Sequence, residues 1–133
     1  MKSATIRALV TGGAGGIGGA IAAELLERGG AVLLVDRDVA ALDRAVGRLA
    51  RYGDRVGILP ADLTSAADRK RICDEAAAWR GGINVLINNA GINHFRMFED
   101  QPPAQLDLAL AINVQAPIHL CQGMLPQLRR QPE

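Results

Sequence analysis

A chain of 133 residues, 49% hydrophobic and 22% charged, is long enough for one domain with a core of its own and has the balance of a globular protein. A formal net charge of +1, with the basic residues spread along the sequence, excludes the electrostatic footprint of a nucleic-acid or anionic-membrane binder. Cys73 and Cys121 match no metal spacing and no disulfide framework and read as reduced packing residues; the apolar run after Met1-Lys2 is too brief for a leader, and no segment approaches a bilayer span, so the expected compartment is the cytoplasm.

Strand and helix patterns then alternate. Ile6 to Val10 reads as a first buried strand, and Ile17, Ile21 and Leu25 mark one face of a helix that Gly29-Gly30 can end. Ala31 to Val35 is a continuous apolar run, as expected of a parallel strand covered on both faces. Asp38 caps a second helix with Leu42, Val46 and Leu49 at helical spacing, and Arg55 to Leu59 gives a third strand. Ser65 and Asp68 form a capping-box pattern ahead of a helix bearing Ile72, Ala76 and Trp79, which Gly81-Gly82 closes. Ile83 to Ile87 is a fourth strand. Pro102-Pro103 starts a long last helix whose main stripe is Leu106, Leu110, Val114, Ile118, Cys121 and Leu125, with a second apolar line through Leu108, Ile112 and Ala116. Two apolar lines predict that one covers the sheet and the other meets a neighbour.

This alternation predicts an α/β fold, a doubly wound parallel sheet of about four strands and four helices joined by right-handed crossovers. The sequence stops just past the last helix, where another strand is expected, so the fourth strand should be an unpaired edge.

The chemistry is concentrated between the first strand and first helix. Thr11-Gly-Gly-Ala-Gly-Gly-Ile-Gly18-Gly19 leaves the backbone bare, as a turn lying against a pyrophosphate must be. It fits three glycine patterns at once, and the glycines alone leave the register open. A P-loop is excluded because no Lys-Ser/Thr follows. Asp36 ends the second strand, where a carboxylate can accept hydrogen bonds from an adenosine ribose and repel a 2′-phosphate, favouring NAD. Arg37 beside it keeps NADP open.

With Asp62-Leu63 after the third strand and Asn88-Asn89-Ala90-Gly91 after the fourth, the chain resembles the N-terminal half of a short-chain dehydrogenase/reductase of the common, non-extended type. The resemblance covers essentially the whole chain and implies an incomplete Rossmann-type NAD(P)-binding domain over residues 1–133. It implies that Gly12, Gly15, Gly16 and Gly18 form the phosphate turn with Ile17 near the pyrophosphate and nicotinamide. It further implies that Asp62 and Leu63 hold the adenine, and that Asn89, Ala90 and Gly91 line the cofactor. Asn113 matches the family's catalytic Asn, whose backbone carbonyl holds a water in a proton relay. Pro117 supplies an independent reason, since it has no N–H for the carbonyl of Asn113.

The departure from the family is as informative. Its Ser and Tyr-x-x-x-Lys should lie beyond residue 133, and the single tyrosine, Tyr52, has Val56 four residues later. The resemblance therefore implies an oxidoreductase that moves hydride between nicotinamide and an alcohol or carbonyl substrate, of which this chain is the cofactor half and inactive alone. A non-catalytic dinucleotide-binding or interaction module is the alternative; a methyltransferase is disfavoured by Asn-Asn-Ala-Gly and Pro117. His94 reads as a pocket-rim or exposed loop residue, Phe95, Met97 and Phe98 as pocket wall, and His119 as a packing or interface residue. No metal site is expected. Family members pair through the helix matching the last one, which implies a homo-oligomer for the complete protein.

Overall fold

The computed structural model describes residues 6–130; the readings of Met1-Lys2 and of the end at Gln131 to Glu133 lie outside the described residues. The chain runs β1 (Arg7–Thr11), α1 (Gly16–Glu27), β2 (Ala31–Asp36), α2 (Val39–Arg48), β3 (Val56–Pro60), α3 (Ala66–Ala78), β4 (Val85–Ile87), α4 (Pro103–Leu110) and α5 (Ala116–Leu128), with short 3-10 turns between several of them. The four strands form one parallel sheet in the order β3-β2-β1-β4. Register is continuous from Arg7 opposite Ala31 to Thr11 opposite Val35, and Ala8 to Val10 lie opposite Val85 to Ile87. Among the described residues β4 pairs with β1 alone.

Strand periodicity sorts the core into two layers. Ala8, Val10, Val32 and Leu34 point to one face, where Ala22 and Leu26 of α1 and Leu42 and Ala45 of α2 cover them. Leu9, Leu33 and Val35 point to the other, under Ile72 and Ala76 of α3 and Leu120 and Met124 of α5. Both faces of β1 and β2 are buried, so these strands read as unbroken apolar runs rather than alternating ones.

Several local expectations hold and several shift. Asp38 caps α2 by accepting from the Ala41 N–H at 2.9 Å. Ser65 caps α3, accepting from the Asp68 N–H at 3.2 Å, but the reciprocal half of the box is absent: the Asp68 carboxylate accepts from the Asp62 N–H at 2.7 Å. β4 begins at Val85 rather than Ile83 because the Asn84 side-chain carbonyl takes the Arg7 N–H at 2.8 Å, a place the backbone ladder would fill. The buried line of α1 is Gly18, Ala22 and Leu26, one residue on from the expected line, and Ile17 is 73% exposed. The small residues face inward because α1 must lie close to the turn that precedes it.

The last helix departs most. A π turn over Ala111–Gln115 joins α4 to α5, making one 26-residue helix over Pro103–Leu128, long and apolar enough (mean hydropathy 1.2) to cross a bilayer by length and composition, where the sequence reading expected no such segment. Pro117 accounts for the widening: it offers no N–H, and its ring crowds the carbonyl four residues back, that of Asn113. Ile112, Ala116, Leu120 and Met124 are the buried line, whereas Leu110, Val114, Ile118 and Leu125 of the expected main stripe are exposed. The second apolar line thus seats the helix on the sheet. Cys121 follows the main stripe outward and is exposed, against the expectation of a packed thiol; Cys73 is half-buried, and burial pushes its thiol pKa up.

Candidate cofactor site

The C-terminal ends of all four strands meet at one cavity of about 180 Å³. Gly12 closes β1, Val35, Asp36 and Arg37 close β2, Ala61, Asp62 and Leu63 follow β3, Ala90, Gly91 and Ile92 follow β4, and Ile112 comes from the long helix. Ligands of wound α/β sheets bind at this edge, where strand order reverses about β1.

The turn above the cavity is built by the chain itself. Gly12 adopts φ +62°, and the Gly13 N–H donates to Val35 O at 3.1 Å, tying the turn to β2. A Cβ on Gly18 would stand 2.3 Å from Gly12 O and 2.7 Å from Asn89 Nδ2, so only glycine fits. A Cβ on Gly16 would meet nothing within 4 Å. Gly15 is the N-cap of α1 and has no side chain to cap it, and no acidic residue lies in the first turn. The next two helices, α2 and α3, are capped by Asp38 and Ser65; α1 presents its first amides and its positive dipole end bare, the arrangement an anion would complete. Gly15, Gly16 and Ile17 are all exposed there.

Asp36 sits at the rim with both oxygens engaged: Oδ2 accepts from the Ala14 N–H at 3.3 Å and Oδ1 from the Asp38 N–H at 3.2 Å. It therefore connects the end of β2 to the glycine turn. Asp62 accepts from the Thr64 N–H at 2.9 Å and hydroxyl at 2.8 Å, both on Oδ1. Those two bonds hold its carboxyl below the ordinary carboxylate range, and the positive charge of Arg37 adds to the effect.

Asn89 lies behind the turn rather than in the cavity. Its side-chain amide donates to Thr11 O at 3.0 Å and Gly12 O at 3.2 Å, which locks β4 to the turn. Asn113 is set similarly: Oδ1 accepts from the Ile92 N–H and Nδ2 donates to Ile92 O, both at 2.8 Å, so its side chain clamps the segment leaving β4. Asn88 donates to Cys121 Sγ at 3.5 Å.

Sequence reasoning missed Thr11 as a site residue. Its hydroxyl, 1% exposed, accepts from the N–H groups of Asn89 at 3.1 Å and Ala90 at 3.0 Å. Those partners are more than seventy residues away, so no local pattern signals the role. Phe95, Met97 and Phe98, expected as pocket wall, are 93%, 66% and 80% exposed. His94 is partly buried, and His119 is exposed in a groove between α3 and α5 rather than packed. Tyr52 is structural: its hydroxyl bonds Glu27 and Arg51, and the Arg51 and Arg55 guanidiniums lie 4.8 and 5.2 Å from its ring centre. Among the described residues no group of three or more His, Cys, Asp or Glu side chains is gathered for a metal.

A parallel sheet wound both ways from β1, with a glycine turn at the point of reversal, defines the class of dinucleotide-fold α/β proteins. Within that class the family model described as short chain dehydrogenase matches residues 7–133, and the chain belongs to that family. It is 38% identical over 123 residues to the rhamnolipids biosynthesis 3-oxoacyl-[acyl-carrier-protein] reductase of Pseudomonas aeruginosa, covering 92% of this chain and 48% of that protein. It is 36% identical to the D-beta-hydroxybutyrate dehydrogenase of Cupriavidus necator, again over 92% of this chain and 48% of the relative. Among solved structures, a Pseudomonas aeruginosa protein in an NADP active-site complex superimposes with a TM-score of 0.88 at 36% identity, over 97% of this chain and 50% of that one. A metagenomic short-chain oxidoreductase in complex with NADP gives a TM-score of 0.84 at 32% identity, over 91% and 55%. The chain spans about half the length of the curated relatives it matches.

Proposed function

We propose that this chain is the NAD-binding half of an oxidoreductase, whose complete form moves hydride between the nicotinamide ring and the carbon of an alcohol or carbonyl substrate. The observation that carries the reading is Asp36, fixed at the cavity rim by amides from the glycine turn and from Asp38. A ribose with two free hydroxyls can donate to that carboxylate; a 2′-phosphate beside it would be repelled. Arg37 is the residue through which NADP could still be accepted, and the NADP named in the two structural neighbours belongs to those proteins.

The chain's own residues fit such a cofactor. Gly16 leaves open space where a Cβ would intrude on a pyrophosphate, and the amides of Gly16 to Gly18 start a helix with no internal cap. Asp62 and Leu63 lie across the same cavity from Asp36, suited to the adenine, and Ala90 and Gly91 form its floor from β4. The nicotinamide, when bound, supplies the hydride chemistry. Asn113 holds Ile92 in place through its side chain, so its main-chain carbonyl, deprived of a donor by Pro117, is the group left to hold a water for proton relay. No tyrosine is placed to complete that relay, since the hydroxyl of Tyr52 is bonded on the other side of the sheet, and the chain alone is inactive as an oxidoreductase.

As the cofactor-binding half of such an enzyme the chain acts in the cytoplasm on a small molecule, without nucleic-acid or membrane partners. The exposed line of Leu110, Val114, Ile118 and Leu125 is where the complete protein pairs with a second copy. Titration of the purified chain with NADH and NADPH, followed by nicotinamide fluorescence, tests the reading. Saturable binding tighter for NADH supports it, and Asp36→Ala should then shift the preference toward NADPH by about tenfold. Equal or tighter NADPH binding by the unaltered chain would overturn it.

A further inference from the structure

At the edge of the sheet opposite the glycine turn, where strands begin, a second cavity of about 480 Å³ is lined by Ile6, Arg7, Gly29, Ala31, Arg55 and Arg80. Three arginines therefore line one space, in a protein whose net charge is only +1. Among the described residues no carboxylate lines it, and Asp54 pairs with Arg80 without lining the cavity.

The three side chains are held in place by acceptors other than a ligand. Arg7 Nε donates to Gly82 O at 2.6 Å, and Arg55 Nη1 donates to Leu26 O at 3.0 Å and Gly30 O at 2.9 Å. Arg80 Nη1 donates to Asp54 O at 3.1 Å and to its carboxylate at 3.3 Å. For Arg55 and Arg80 the Nε and Nη2 donors have no protein acceptor among the described residues, which leaves the planar fork suited to phosphate or carboxylate unfilled. Backbone strain marks the same place. Arg80 is the only non-glycine at positive φ among the described residues, at φ +50°, and Gly81 and Gly82 continue that conformation. A side chain larger than glycine is uncommon there, and strained residues cluster where geometry serves a ligand.

We propose that Arg7, Arg55 and Arg80 form an anion site for a phosphate group, free or carried by a small metabolite. The volume falls in the range of small-molecule sites, about 300–1,000 Å³, and the ligand would tie the start of β1 to the α1–β2 and α3–β4 turns.

The test is a ¹⁵N NMR titration of the 133-residue chain with inorganic phosphate and, separately, glycerol 3-phosphate, at fixed ionic strength. Saturable shifts of the Arg55 and Arg80 Nε–H signals are expected, the ester binding more tightly if the group is carried by a metabolite and no more tightly if the ion itself is the ligand. Arg80→Gly, which relieves the positive φ, should weaken both titrations at least fivefold without lowering the melting temperature. Shifts confined to Gly15 to Ile17, shifts that rise linearly without saturating, or unchanged affinity in Arg80→Gly would each overturn the site.

Discussion

The glycine turn has an inner side built against the chain's own backbone and an outer side that faces nothing. Gly18 belongs to the first, since a Cβ would lie 2.3 Å from Gly12 O, and Gly16 to the second, with nothing within 4 Å. Two residues of the same type, two positions apart, are thus glycine for opposite reasons. The inner one is required by the fold, whereas no contact within the chain requires the outer one to be glycine. The same division separates Asn89 and Thr11, which face inward and stitch β4 to β1, from Asp36 and Asp62, which stand at the rim.

The division can be broken by substitution. Gly18→Ala should cost the most, about 3 kcal/mol, because the clash is with backbone oxygen and cannot relax cheaply. Urea unfolding of the variant would show a large drop in midpoint or no folded baseline; a loss under about 1 kcal/mol would mean that α1 can shift, and that the inner side is not rigid. Thr11→Val comes next. It keeps the shape but strips the acceptor from two part-buried N–H groups, those of Asn89 and Ala90, for a loss of about 2 kcal/mol. Thr11→Ser retains the hydroxyl and should recover most of it.

On the outer side the sign reverses. Gly16→Ala places a better helix former in open space at the first turn of α1 and should raise stability by up to about 1 kcal/mol. The same methyl would stand where a pyrophosphate must approach, so NADH affinity should fall at least tenfold. A variant both more stable and a weaker binder is the sharpest signature of the proposed site; unchanged NADH affinity would remove Gly16 from it.

What the sequence made legible follows the same line between local and distant causes. The turn, the Asp38 cap and the two-faced strands are local patterns and were readable. The last helix carries two apolar lines and, over Pro103 to Leu128, only Asp107 and His119 as acidic or basic side chains, so polarity could not say which line faces inward. The sheet chose Ile112, Ala116, Leu120 and Met124 because α5 lies against α3, and Gly123, set against the Cys73 thiol, lets the two helices approach. Thr11 and the Asn113 clamp on Ile92 depend on partners that only the completed sheet brings near. Asp68 left its expected box for a different reason, since the Asp62 amide that it takes is only six residues away.

Asp62 offers the smallest and most specific test, because its charge is set from the inner side while its second oxygen stays outward. Thr64 supplies both hydrogen bonds to Oδ1, and Oδ2 has no protein partner among the described residues. In an unfolded chain this carboxyl would titrate near the ordinary value of about 3.9; in the fold it titrates lower, chiefly through the Thr64 amide and hydroxyl. Its contribution to stability is therefore complete above the unfolded value and is lost as pH falls through the folded one. Because the group is largely exposed, the loss should be modest and is best read at the atom itself. A ¹³C NMR titration should place the Asp62 carboxyl below the other exposed aspartates, and Thr64→Val, which removes the hydroxyl but keeps the amide, should move it part of the way back. An identical titration in the variant would mean that the hydroxyl contributes nothing, leaving the amide and the Arg37 charge to fix the carboxylate that the proposed adenine contact requires.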